Sequence, residues 1–224
     1  MSKKKEAMVD SLPYKKVTWW YRFWKRIFDV FVSLTAILIL SPLLIILWIL
    51  VLINSHGYPI FKDKRIGKDH KQINVYKFRS MYIDAETNVD KYLNKKQKKQ
   101  WKKERKVEHD PRVTPIGRIL RKTSLDELPQ LFNILFGSMS FVGPRPITES
   151  ELTQHFTPEQ QDIMLSARPG LIGYWGVKGR SNVEFKSGVR QKLELDYFKL
   201  RGLMFDLGLM FRVIPAVIKG SGAK

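Results

Sequence analysis

The chain has 224 residues, with 40 Lys and Arg against 21 Asp and Glu, a formal net charge of +19 and no cysteine. That length predicts one domain with a sizeable core, and the charge implies a polyanionic partner: nucleic acid, anionic lipid or a phosphorylated ligand. The lack of cysteine excludes a disulfide framework, a thiol nucleophile and a thiolate metal site, and fits an intracellular face.

Residues 1–26 are basic and aromatic. Lys3, Lys4, Lys5, Lys15, Lys16, Arg22, Lys25 and Arg26 are interleaved with Trp19, Trp20, Tyr21, Phe23 and Trp24. Past a disordered basic tail of about ten residues, this predicts an interfacial segment, with rings at headgroup level and cations facing anionic lipid.

Residues 27–54 are predicted to form a membrane helix. The run 28–53 is apolar apart from Asp29, Ser33, Thr35, Ser41 and Pro42, and is long enough to cross a bilayer, which needs about 20 residues. A cleaved signal peptide is not expected, since the run is too long and no small-x-small site follows. Cationic residues flank both ends, with Lys62, Lys64, Arg65, Lys68 and Lys71 on the far side, so the positive-inside rule puts both ends in the cytoplasm. Ser41-Pro42 interrupts the middle, where proline removes an amide and can bend the helix. From the residues alone, a single span and a re-entrant hairpin entering and leaving by one leaflet both stand.

Residues 55–224 make up the remaining domain. Within it, 58–81 predict short strands with a turn at Gly67. On such a strand Lys77 and Arg79 share one face, with Phe78 on the other; that face is either a solvated edge or an anion contact. Residues 82–109 form a Lys-rich insert, read as a charged surface helix, with Trp101 near its end. A lone lysine run carries no nucleic-acid reading module, so no nucleic acid is expected as partner.

The stretch 110–146, DPRVTPIGRILRKTSLDELPQLFNILFGSMSFVGPRP, organises the rest. Asp126 and Glu127 stand side by side among Arg112, Arg118, Arg121, Lys122 and Arg145. Leu125, Leu128, Leu131, Phe132, Leu135 and Phe136 recur as one helix face. Ser124, three residues before Glu127, has capping-box spacing, so the acids are predicted in a helix first turn, ionised there and available as nucleophile or metal ligand. The same pattern is equally that of ordinary capping acids. Residues 137–147 predict a strand entering the Pro144-Arg145-Pro146 turn, which would pre-aim Arg145 at a phosphate or be simply a rigid turn.

Further on, 150–166 predict a polar helix restarting at Thr157-Pro158-Glu159. Gly-rich, basic 168–180 contains Arg168 and Arg180 and is either a set of turns or a close backbone approach to a nucleotide. Residues 190–219 predict amphipathic helices in the interface plane or, alternatively, packed into the core, with Pro215 opposing one unbroken helix.

Several ordered blocks resemble the bacterial sugar transferases, the monotopic polyprenyl-phosphate phosphoglycosyl transferases. They are KRIFDV, RIG (65–67), YKFRSM (76–81), SLDELPQLFNILFGSMSFVGPRP, ARPGLIGYWGVKGR (167–180) and ELDYF, and together they span most of 25–220. The resemblance implies an α+β, mostly helical fold with a membrane-embedded re-entrant helix broken at Ser41-Pro42, a catalytic domain on the cytoplasmic face of the bacterial inner membrane, and interfacial amphipathic helices. It also implies transfer of a sugar 1-phosphate from a UDP-sugar to polyprenyl phosphate with release of UMP. Asp126 would be the nucleophile and a Mg²⁺ ligand, and Glu127 its assistant. Lys77, Arg79, Arg121, Arg145 with Pro144 and Pro146, Arg168, Arg180 and, as a weaker candidate, Arg112 would bind phosphate or nucleotide. The implied partners are the UDP-sugar, polyprenyl phosphate and anionic lipid, with a homo-oligomer left open. Departures include Ser80 for a frequent Thr, Asp63-Lys64-Arg65 for a more usual Gln/Glu-Arg pairing, and Tyr174-Trp175-Gly176 for a commoner Trp-Ala-Gln, which bears on sugar choice. Without the extra N-terminal membrane bundle of larger members, the chain resembles the minimal catalytic form. The rival reading is a non-enzymatic, membrane-associated basic scaffold.

Overall fold

A computed structural model describes residues 12–55, 57–85, 87–104, 107, 109–178 and 188–218. In chain order the helices and strands are α1 (Trp19–Ser55), β1 (Ile60–Ile66), β2 (Gln72–Phe78), α2 (Val89–Tyr92), α3 (Lys95–Glu104), α4 (Pro115–Thr123), α5 (Gln130–Phe136), β3 (Ser140–Val142), α6 (Glu149–His155), α7 (Pro158–Leu165), β4 (Gly170–Ile172), α8 (Tyr174–Lys178), α9 (Val189–Leu200) and α10 (Leu203–Ile218). Among the described residues the chain is mostly helical, with two two-stranded sheets, β1–β2 and β3–β4. Its contacts divide it into two compact units. The first takes residues up to 39, 62–75 and those from 130 to the end of α10; the second takes 40–61 and 76–129. Length alone predicts one domain. The units interleave along the chain, so no linker marks their border.

Helix α1 has 37 residues, about 55 Å at 1.5 Å per residue, against a hydrocarbon core of about 30 Å. Thr18 Oγ1 caps its start by accepting from the Tyr21 N–H at 3.2 Å. Its most apolar window has a mean hydropathy of 3.1 and is 11% buried, so it is not a soluble core helix, which would be mostly covered. The helix runs without interruption through Pro42. The border between the units falls at residues 39–40, close to that proline. Ser33 Oγ reaches back to the Asp29 carbonyl at 2.6 Å and Ser55 Oγ to that of Val51 at 2.8 Å, so these hydroxyls are satisfied within the helix.

In the first unit, parallel β3 and β4 pair Ser140 with Gly170 and Val142 with Ile172. The start of α1 is fastened around them by polar groups. Asp29 Oδ1 accepts from the Phe141 N–H at 3.0 Å, and Arg26 donates to the Ile134 and Leu135 carbonyls, each at 2.7 Å, at the end of α5. Lys25 Nζ and Tyr21 Oη both reach Asp206 Oδ2 on α10, at 2.6 and 2.8 Å. Thr148 and Thr157 open α6 and α7 with complete capping boxes to Glu151 and Gln160, as the restart at Thr157 predicts. The C-terminal segment is two helices, but the break is at Arg201-Gly202 and α10 continues through position 215. On α9 five consecutive residues, Glu194 to Phe198, are buried, so this helix packs into the core instead of lying in an interface. Leu203, Met204 and Phe211 leave α10 with exposed apolar surface.

In the second unit the Lys-rich insert is two helices, not one. Asn94 separates them, exchanging hydrogen bonds with Gln97 in both directions at 3.1 and 2.9 Å. Leu93 is buried at the break.

Candidate active site

The acidic pair is seated on the apolar helix. Leu47 and Val51, in the last turns of α1, form a cluster with Phe78 at the end of β2 and Leu120 of α4, flanked by Leu43, Leu44, Ile60, Ile116, Leu125 and Leu128. Leu125 and Leu128 bracket Asp126 and Glu127, so burying the two leucines pins the turn between them.

Helix α4 delivers the turn. Thr114 caps it, its Oγ1 accepting from the Gly117 N–H at 2.9 Å, and Pro115 fills the first helical position. Gly117 lies against the chain leaving β2; a Cβ there would stand 2.0 Å from the Ser80 carbonyl oxygen. This approach lets Arg121, one turn on, donate Nε to Ser80 Oγ at 2.8 Å. Ser124 then closes α4 in the left-handed conformation (φ 58, ψ 18), its N–H returning to Arg121 and Leu120 carbonyls.

This corrects the predicted helix start. Ser124 makes no side-chain cap, and Asp126 and Glu127 lie in a short 3₁₀ turn, Leu125–Glu127. The α-helix begins only at Gln130, after Pro129. A serine that ends one helix in the left-handed region cannot also hold the extended conformation of an N-cap.

Both acids are half-buried. Burial pushes the Asp126 carboxyl up to about 6, neighbouring Glu127 adds to the rise, and Lys77 and Arg121 oppose it without cancelling it. The cations therefore do not hold Asp126 in the ordinary ionised range. At pH 7 a group with this value is still about nine-tenths ionised. Such a carboxylate is available to attack and is a stronger base than a solvated one.

The other candidate cations of the second unit fall into three situations. Lys77 faces Asp126 electrostatically, and its neighbour Phe78 is buried in the cluster, as alternation on β2 predicts. Arg79 donates Nε to the Tyr58 carbonyl at 2.9 Å and lies 6.0 Å from the Phe61 ring, bracing the β1–β2 hairpin. Arg112 is buried and forked onto Asp110, with Nη2 to Oδ2 at 2.6 Å and Nε to Oδ1 at 2.9 Å, and it lies 5.3 Å from the Trp101 ring. Burial would raise the Asp110 carboxyl, but the bonds from Arg112 outweigh it and hold it below the usual range. This pair locks the end of the Lys-rich insert.

Arg145 belongs to the first unit. Gly143 and Gly170 pass so closely that a Cβ on Gly143 would stand 2.4 Å from the Arg168 carbonyl oxygen, and the Gly170 N–H donates to the Pro144 carbonyl at 2.8 Å. Pro144 is buried, Pro146 half-buried and Arg145 exposed between them. The Arg145 N–H donates to Glu194 Oε2 at 3.1 Å, and its guanidinium lies 5.5 Å from the Trp175 ring, whose other cationic neighbour is Arg190 at 4.5 Å. Sequence reasoning did not single out Glu194 or Arg190; the only signals were Glu194 in ELDYF and the unusual Trp175. Arg168 lines a cationic cavity with Arg22, Arg26 and Lys68, also in the first unit. Arg180 lies outside the described residues.

For Mg²⁺ the donor chemistry fits. Among the described residues no group of three or more His, Asp or Glu stands together. Two adjacent half-buried carboxylates suit an ion that takes one or two carboxylates and fills its remaining positions with substrate phosphate and water.

Residues 20–220 match the family model described as bacterial sugar transferase. The chain is 40% identical over 204 residues to the undecaprenyl-phosphate galactose phosphotransferase of Salmonella typhimurium, covering 90% of this chain and 42% of that protein. It is 37% identical over 201 residues to the exopolysaccharide production protein ExoY of Sinorhizobium fredii, covering 89% of this chain and 87% of that one. It is 36% identical over 194 residues to the UDP-glucose:undecaprenyl-phosphate glucose-1-phosphate transferase of Klebsiella pneumoniae, covering 85% and 39%. The chain thus spans less than half the length of some relatives and most of others. With the family match extending over nearly all of its residues, the chain belongs to the bacterial sugar transferases.

Proposed function

We propose that the chain transfers a sugar 1-phosphate from a UDP-sugar to polyprenyl phosphate, undecaprenyl phosphate in kind, as the initiating membrane step of glycan assembly. One observation carries the reading: a carboxylate pair, with Asp126 raised to about 6, is bracketed by leucines that pack on the membrane helix. The named activities of the Salmonella and Klebsiella relatives support the same substrate classes.

In the first step an Asp126 carboxylate oxygen attacks the β-phosphorus. The bond from that phosphorus to the bridging oxygen breaks, and UMP leaves carrying that oxygen. The sugar phosphate remains on Asp126 as an acyl phosphate. In the second step an oxygen of polyprenyl phosphate attacks the same phosphorus, the Asp126 carboxylate leaves, and a polyprenyl diphosphosugar forms. Lys77 and Arg121 offset negative charge around the transferred phosphoryl group. Glu127 keeps Asp126 basic and takes up the proton of an incoming lipid phosphate that arrives protonated. Arg145 is proposed to bind a phosphate of nucleotide or lipid bidentately. Mg²⁺, held by Asp126, would neutralise the diphosphate. In this reading α1 re-enters the cytoplasmic leaflet, with Ser41-Pro42 at its deepest point.

Incubating purified protein with a panel of UDP-sugars and polyprenyl phosphate tests this directly. UMP release that disappears in Asp126→Asn supports it. Absence of UMP from every sugar tried would leave the basic scaffold reading in its place.

A further inference from the structure

Two adjoining cavities lie wholly within the first unit. One, about 400 Å³, is lined by six cations, Arg22, Lys25, Arg26, Lys68, Arg168 and Arg201, against the single carboxylate Asp29. The other, about 360 Å³, is lined by apolar side chains including Trp24, Phe28, Phe31, Leu207 and Met210. Lys25, Asp29 and Val142 line both, so the cationic and apolar spaces share a wall.

Much of the charge is already engaged. Lys25 pairs with Asp206, Arg26 holds two carbonyls of α5, Arg201 donates to the Lys15 carbonyl at 2.6 Å, and Lys68 pairs with Asp69 at 2.7 Å. Asp29 is committed to the Phe141 N–H. Among the described residues no side-chain hydrogen bond or ion pair engages the guanidinium of Arg22 or Arg168. Two exposed cations thus face a cavity whose one lining carboxylate, Asp29, is already bonded to the Phe141 N–H. The surroundings are those of a membrane boundary. Trp19, Trp20 and Trp24 are exposed on the first turns of α1, and Phe31, Leu34 and Leu38 follow on its apolar continuation.

We propose that these paired cavities hold one resident anionic phospholipid, its headgroup phosphate between Arg22 and Arg168 and one acyl chain in the apolar cavity against Phe28, Phe31 and Met210. Free phosphate would leave the apolar cavity without a function. A reacting polyprenyl phosphate must present its phosphate to Asp126, and no residue of the turn 125–128 lines either space. The inference rests on the membrane reading of α1 but not on the transfer chemistry. It gives Arg168 a lipid rather than a nucleotide.

Native mass spectrometry of the full chain in detergent tests it, with titration by phosphatidylglycerol, phosphatidylcholine, polyprenyl phosphate and inorganic phosphate. The expected result is one bound phosphatidylglycerol, preferred roughly tenfold over phosphatidylcholine, with the preference lost in Arg22→Gln/Arg168→Gln and kept in Arg22→Lys/Arg168→Lys. Phe31→Ser should weaken both phospholipids together. Equal binding of the two phospholipids would overturn the proposal, as would an unchanged preference in the Gln variant. Displacement by inorganic phosphate would mark a simple anion site, and one-for-one displacement by polyprenyl phosphate an acceptor site; either result rejects a resident phospholipid. Asp126→Asn should keep the lipid, so failure of the transferase reading shows separately, in UMP release.

Discussion

In the proposed transfer Asp126 meets two opposed requirements: it must be ionised to attack phosphorus, and its half-buried place makes ionisation costly. With the carboxyl raised to about 6, UMP release should fall as pH drops through about 6, read from the acid limb of the first half-reaction. The neighbours shift that limb in opposite directions. Lys77→Met removes an opposing cation and should move the limb to higher pH, whereas Glu127→Gln removes a like charge and should move the Asp126 titration lower, observable by NMR even where turnover is impaired. Linkage gives a further consequence. An acid whose folded value lies above its unfolded value favours folding below the unfolded value, about 3.9, and loses that contribution as pH rises through about 6. Asp126→Asn should therefore melt at higher temperature than the wild type at pH 8, while its transfer rate falls by about a thousandfold or more. A variant with lower stability at pH 8 would show that the carboxylate is not strained by burial.

At the level of elements, the site depends on a long apolar helix that serves as its floor. Leu47→Ala removes buried contacts to Phe78, Leu120 and the leucines of the acidic turn, and should cost about 2–5 kcal/mol in denaturant or thermal unfolding and slow UMP release as well. Gly117→Ala should uncouple Arg121 from Ser80, because the added methyl meets backbone rather than a movable side chain. These packings also mark the limit of what local patterns disclose. The boxes at Thr148 and Thr157 and the strands on either side of the Gly67 region could be read from spacing, because those elements follow from neighbouring residues. The same Ser-x-x-Glu spacing at Ser124 misled, since its left-handed backbone is set by how α4 ends against the cluster. Burial of the second half of α9 on every side likewise follows from tertiary packing and leaves no clean periodic signature.

For the whole molecule, the adjacency of Asp126 and Glu127 and the apolar run were legible in the sequence. The elevated Asp126 value, the Arg112–Asp110 lock and the two interleaved units were not, since each depends on residues distant in the chain or on depth of burial. If Ser41-Pro42 turns α1 back into one leaflet, single cysteines placed near residues 13 and 58 of this cysteine-free chain should both react only from the cytoplasmic side. In Ser41→Ala/Pro42→Ala a fraction should become reactive from opposite sides as a straight span forms. Covalent transfer through one carboxylate leaves a trace that intact-protein mass spectrometry can detect after incubation with UDP-sugar alone, with no lipid acceptor. The expected result is a mass increase of one sugar phosphate, mapped to Asp126 and absent in Asp126→Asn, together with one UMP released per site. Full turnover on adding polyprenyl phosphate, with neither adduct nor UMP formed beforehand, would contradict it and require direct transfer between the two substrates.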